Sequence, residues 1–281
     1  MVYALDPRIH RVWRTPDVLQ FGIDRIRLLL DGVSTAEERM LAALDAGVTL
    51  PGLALSAGKG TGPDDVQRFL DRIGPVLAPA RRPADPRRIV IDGAGATAAL
   101  LLAILRDEGA DVRSALRWND PFVDAADAAV IVGGFALAPE RHRPWLQRDI
   151  PHLPVVFGDE AVRIGPFVRP GVGPCLVCID LHRADEDADW PAIASQLHTR
   201  QPCRESRLVS ALAASAAAHA LLAVLEARPD ERPGWATSVS LDYASGRPSE
   251  RDWSVHPRCG CLGLSRATPR GTTSPGTTAT G

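Results

Sequence analysis

At 281 residues the chain is long enough for one large or two ordinary domains, and 45% hydrophobic with 23% charged residues is a globular composition. A formal net charge of -2, without a basic stripe, argues against nucleic acid as a partner. The sequence opens with no signal-peptide pattern and reads without an apolar run of the ~20 residues that span a bilayer, so the expected setting is cytoplasmic and the membrane is not an expected partner.

The first 80 residues read as a small α+β module. Val18-Leu19-Gln20-Phe21-Gly22 and Ile26-Arg27-Leu28-Leu29-Leu30 are apolar runs of strand length parted by Gly22 and Asp24, and Val12-Trp13-Arg14 is a candidate earlier strand. Ser34 or Thr35 caps a helix that carries Met40, Leu41 and Leu44 on one face and stops at Gly47. A second, poorer helix is expected over 50–57. A third opens at Pro63-Asp64-Asp65 and buries Val66, Phe69, Leu70 and Ile73. Strands followed by three helices suggest a winged-helix-like module. Eleven basic against ten acidic residues from Met1 to Arg82 give no excess charge for DNA. Peptide capture on an exposed strand edge is the alternative use. Residues 81–88, polar and proline-rich, read as a linker.

Residues 89–264 open as a Rossmann-like unit. The strand Ile89-Val90-Ile91-Asp92 runs into Gly93-Ala94-Gly95-Ala96-Thr97-Ala98 and then a helix from Leu100 to Arg106. Gly93, Gly95 and Ala98 form the pattern that lets a phosphate approach a helix N-terminus, and equally the pattern of a tight turn that packs helix on sheet. Further strands are expected at 112–116, 128–132 and 153–157, giving a mainly parallel sheet. Neither Asp111 nor Asp120 stands where a ribose-binding acid belongs.

Two cysteine pairs follow, Cys175-Leu176-Val177-Cys178 and Cys259-Gly260-Cys261. Two thiolates from each pair make a tetrahedral zinc site. Ordinary buried thiols, or a disulfide in each half, are the alternatives, and nothing in the chain points to an oxidising compartment. His256 stays open as a substitute ligand, and Cys203 is an odd cysteine best explained by packing. The run Asp185-Glu186-Asp187-Ala188-Asp189 reads as a solvated loop. Ser206 to Leu225 reads as an alanine-rich helix with His219 in its core face, and Trp235 to Tyr243 as a late strand. Residues 265–281 read as a disordered tail.

Glycine loop, C-x-x-C, long helix and second cysteine pair together resemble the ThiF/MoeB superfamily, relatives of ubiquitin-activating enzymes. Gly165-Pro166-Phe167-Val168-Arg169-Pro170-Gly171, Cys175 to Arg183, Asp189-Trp190-Pro191 and His256 to Cys261 resemble a divergent branch. Its members are the bacteriocin-biosynthesis cyclodehydratase-domain, or TOMM precursor leader-peptide-binding, proteins. The resemblance implies a structural zinc on Cys175, Cys178, Cys259 and Cys261, a front module that holds a precursor's leader peptide, a YcaO-type cyclodehydratase partner and a homodimer lined by the alanine-rich helix. Active relatives surround ATP phosphates with an Asp, an Asn-Leu-x-Arg-Gln segment and a Lys. Arg117-Trp118-Asn119-Asp120-Pro121 does not match that segment, and no lysine follows Lys59. The expected function is therefore a leader-binding scaffold that has lost adenylation. The alternative is an ATP-dependent adenylyltransferase acting on a peptide or carrier-protein carboxylate.

Overall fold

A computed structural model describes residues 2–78, 86–200, 205–227 and 235–263. The chain divides into two compact units, Met1–Asp85 and Pro86–Gly281. Cys203, the expected tail over 265–281 and most of the expected linker lie outside the described residues.

In the first unit, β1 (Val2–Tyr3) pairs with β5 (Val48–Thr49), and β2 (Arg11–Thr15), β3 (Val18–Phe21) and β4 (Leu28–Asp31) form a separate antiparallel sheet in that order. Helix α1 (Thr35–Ala46) starts in a capping box: Ser34 Oγ accepts from the Glu37 amide at 3.2 Å, and Glu37 Oε2 accepts from the Ser34 amide at 2.8 Å. Thr49 caps α2 (Leu50–Ala57), and Asp65 Oδ2 accepts from the Gly62 amide at 2.8 Å to open α3 (Pro63–Ile73). Leu19, Phe21 and Leu30 from the sheet meet Met40, Leu44, Leu53, Phe69 and Ile73 from the helices in one core. The pair β1 and β5, two residues each, gives no sequence signal and is an addition to the expected elements.

The second unit is a seven-stranded mixed sheet. Its strands are β6 (Arg88–Asp92), β7 (Asp111–Ser114), β8 (Ala128–Gly134), β9 (His152–Phe157), β10 (Ala161–Ile164), β11 (Thr237–Asp242) and β12 (Pro248–Asp252). They lie in the order β12-β11-β10-β9-β8-β6-β7. The expectation of a mainly parallel sheet holds for β6 to β9 only, because β9, β10, β11 and β12 pair antiparallel. The strand β6 begins at Arg88, inside the stretch expected as linker.

Period-two alternation sorts the two faces of the sheet. Ile89, Ile91, Val130, Leu153 and Val155 look towards α4 (Ala96–Asp107) and α9 (Arg207–Glu226), meeting Leu101, Leu105, Ala213, Ala217 and Leu221. The alanines let α9 lie close to α4, and each buried leucine contributes about 2 kcal/mol. Val90, Ala129 and Ile131 look the other way. They pack on Phe122 from α5 (Pro121–Asp124), Trp145 from α6 (Pro139–Gln147) and Ile179 from α7 (Leu176–Glu186). A short α8 (Trp190–Leu197) follows α7.

Two expectations about α9 are corrected. By length and composition it is apolar enough to cross a membrane, with mean hydropathy 2.1, although one of its faces packs into the sheet core. His219 is exposed on the opposite face rather than buried, because a helix apolar all round gives no stripe from which its phase can be read.

The buried histidines are elsewhere. His142 on α6 is held down to about 3, first by burial and then by His152 and nearby cations, and its Nε2 has no hydrogen-bond partner among the described residues. His152 is held down to about 4 by burial, while its Nδ1 donates to the Ile150 carbonyl at 3.0 Å. Both fold as neutral rings, so their contribution to stability is present above the unfolded value near 6.5 and is lost as pH falls towards 4. Urea midpoints should therefore drop between pH 7 and pH 5, and His142→Leu should flatten that drop by up to about 1 kcal/mol per pH unit.

Candidate metal centre and nucleotide loop

Two knuckles meet on the α6 and α7 side of the sheet. Leaving β10, the chain runs back along β9, where His152 and Val168 exchange backbone hydrogen bonds of 3.0 and 2.8 Å. It then turns through Gly173 and Pro174 into Cys175, the N-cap of α7, and Cys178 lies on the first turn. The second pair follows β12, where Trp253 is buried and donates to Ser238 Oγ at 2.9 Å.

The four sulfurs lie within 4.8 Å of one another. Cys175 and Cys178 are 3.9 Å apart, Cys175 and Cys259 3.6 Å, and Cys178 and Cys261 3.6 Å. Four sulfurs each ~2.3 Å from a shared ion stand about 3.8 Å apart, so the set fits a tetrahedral metal such as zinc. The same distances are far beyond a disulfide bond, and all four cysteines are free. Burial pushes the Cys175 thiol up and the Cys261 thiol to about 11, while hydrogen bonds draw Cys178 down against its burial. A divalent ion would let these crowded sulfurs share their negative charge.

His256, held open as a ligand, is already committed. Its buried ring donates from Nε2 to Asp185 Oδ2 at 2.8 Å and accepts at Nδ1 from the Arg258 amide at 3.1 Å. Its carbonyl accepts from the Cys259 amide at 2.9 Å. The ring shapes the second knuckle from behind, and Arg258 adds an ion pair to the same Asp185. Burial of the ring makes this a supporting contact for the sulfur cluster. The acidic run is thus only partly a solvated loop: Asp185 and Glu186 end α7, and Asp185 is the exposed anchor of His256.

The glycine loop joins β6 to α4. A Cβ on Gly93 would meet Val132 Cβ at 2.8 Å, and Gly95, at φ 97°, is the N-cap of α4. Ala98 is buried in the first turns of α4. This helix end is met from within the chain: Glu205 Oε1 accepts from the Thr97 amide at 2.8 Å, and Glu205 lies where a Gly95 Cβ would collide with it. Nothing in the sequence announces Glu205, which is 108 residues from Thr97. Across the loop, Arg141 donates to the carbonyls of Val132 and Asp92 and to Asp92 Oδ1 at 2.7–3.0 Å, so its fork is also spent inside the protein. Asp120 caps α5 by accepting from the Phe122 amide at 2.8 Å, and Asp111 sits at the opposite end of the sheet, registered with Arg88. Beside Gly93 a cavity of about 110 Å³ is lined by Ala115, Trp118 and Trp145.

No protein-family model and no curated protein sequence matches this chain. Solved structures do resemble it. A heterocyclase in complex with substrate and cofactor aligns at a TM-score of 0.67 with 15% identity, over 93% of this chain and 39% of its own. The heterocyclase TruD aligns at 0.62 with 16% identity, over 93% and 42%. MccB from E. coli, with AMPCPP and MccA, aligns at 0.57 with 12% identity, over 94% of this chain and 100% of its own. The chain spans about two fifths of the length of the heterocyclases it matches. At these identities the likeness is one of fold. The neighbours are heterocyclase and MccB chains, in keeping with the ThiF-like resemblance of the sequence.

Removing the internal carboxylate should expose the helix end. Glu205→Ala is expected to lower unfolding stability by about 1 kcal/mol in urea titrations. Inorganic phosphate at 10 mM should restore part of that loss in the variant and leave the wild type unchanged.

Proposed function

We propose that this protein is a leader-peptide-binding scaffold of azole or azoline peptide modification, in which the front unit, read as winged-helix-like, holds a precursor and the second unit presents it to a YcaO-type cyclodehydratase. The observation that carries the reading is the outer edge of β4. Among the described residues β4 closes one side of its sheet, with Ile26 and Leu29 exposed beside it. Arg72 of α3 donates to the Asp31 carbonyl at the end of β4 at 3.2 Å. An extended peptide can add there as a fourth strand, its alternate side chains lying on Leu29. The other edge, β2, is bulged between Trp13 and Thr15 and carries Arg11 and Arg14, features that discourage pairing. The structural likeness to heterocyclases agrees with this reading.

The Glu205 plug and the chain's lack of any lysine beyond Lys59 argue that adenylation has been lost. The ion is proposed to be zinc, with a structural role, on Cys175, Cys178, Cys259 and Cys261. Leu208 and Leu212, exposed on the outer side of α9, are the proposed seam of a homodimer, and the cytoplasm is the proposed compartment.

Titration calorimetry of the full chain against leader segments encoded beside it should give saturable binding. Leu29→Asp should weaken that binding tenfold or more, about 1.4 kcal/mol. Silence with every such peptide, or pyrophosphate exchange into ATP by the pure protein, would overturn the scaffold reading. Metal analysis should find one zinc per chain. Chelation, or Cys178→Ser, should unfold the second unit as followed by circular dichroism, because the ion's binding energy is folding energy.

A further inference from the structure

A cavity of about 550 Å³, lined by none of the four cysteines and none of the loop glycines, lies over the antiparallel half of the sheet. Its floor follows the strand register: Arg163 of β10 stands opposite Ser240 of β11, which stands opposite Ser249 of β12. One wall is Arg183 of α7, its guanidinium 4.7 Å over the Trp190 ring. Arg251 stacks 4.0 Å over Trp253 and is ion-paired with Glu186.

Arg163 is the unusual member. It is half-buried, and among the described residues its guanidinium has no hydrogen bond or ion pair. Burial first, then Arg183 and Arg251, push it down to about 10 against the pull of Asp180. Arg183 is lowered too, first by burial and then by Arg251, against the pull of Asp180 and Glu186. Two poorly neutralised forks side by side make a costly arrangement that an entering carboxylate would relieve. The hydroxyls of Ser240 and Ser249 likewise make no hydrogen bond among the described residues and offer donors beside it.

The mouth has the opposite sign. Asp159, Asp187 and Glu250 line it, all exposed, and Glu186 there is paired with Arg251. Such a rim repels a multiply charged anion and favours a ligand whose outer end is cationic. We propose that this pocket binds a small zwitterion of amino-acid or short-peptide size, its carboxylate on Arg163 and Arg183 and its ammonium at the acidic mouth. The volume suits a small-molecule site. The proposal needs neither the peptide-capture reading nor the identity of the metal.

Thermal melts of the full chain test it, with glycine, arginine and glycylglycine as probes and glycinamide and inorganic phosphate as comparisons. At ten times its Kd a zwitterion should raise Tm by about 3–6 °C. A response to glycine or arginine identifies a free amino acid as the source, and a response to glycylglycine alone identifies a chain of two or more residues. Glycinamide and phosphate should do nothing. Arg163→Gln should abolish the response while leaving the unliganded Tm equal to or above that of the wild type, since it removes an unpaired charge from the interior. Should Arg163→Gln fold poorly, Arg163→Lys, which keeps the charge without the fork, should fold and weaken the response at least fivefold. No rise with any zwitterion, an equal rise with glycinamide or phosphate, or a full response in either variant overturns the proposal.

Discussion

The sulfur cluster closes a long loop in the second unit. Cys175 and Cys259 are 84 residues apart and Cys178 and Cys261 83 apart, yet each pair of sulfurs stands 3.6 Å away from its partner. Between the two knuckles lie α7, α8, α9, β11 and β12. Of that stretch α9 is well buried, but its flanks are not. The outermost strand, β12, is exposed along its whole length, and α8 has one buried residue. An ion on the four sulfurs would fix both ends of the stretch in the folded chain alone, so its binding would favour the folded state over the unfolded one. His256 and Asp185 extend the constraint into α7, so that helix is fixed at Cys175 and again three turns later.

The sheet has two halves with different work. Its parallel half has the strand, glycine turn and helix of a Rossmann-like unit, and the polar groups there find their partners within the chain. Arg141 binds the strand ends, and Glu205 satisfies the Thr97 amide at the start of α4. The antiparallel half is floored by serines and arginines and walled by tryptophans. In the proposed reading the first half is a frame and the capture of peptide belongs to the front unit.

What could be read in the sequence follows from the range of each interaction. Ser34, Gly47 and the apolar positions of α1 and α3 act within a turn or two, and their helices form where spacing places them. The cysteine pairs were legible because each knuckle is local, and the structure brings the four sulfurs together. Pro248-Ser249-Glu250-Arg251-Asp252 has no alternation to reveal β12, because both of its faces are wet. The parallel expectation overreached for that reason: the strand-helix-strand rhythm stops at β9, and hairpin pairing takes over. His219 was misplaced because alanine is equally content on either side of a helix. Glu205, Arg141 and Arg163 could not be found at all, since each acts through partners brought close only by the fold.

Glu205 stands two residues before the start of α9, whose inner face is packed against α4. Its carboxylate is therefore tethered to the seat it fills. A dissolved nucleotide would compete with a resident anion whose local concentration is set by a short link, on the order of millimolar or above, and which dilution cannot lower. Apparent affinity falls by the fraction of time the seat is open. The start of α4 thus carries an anion supplied by its own chain.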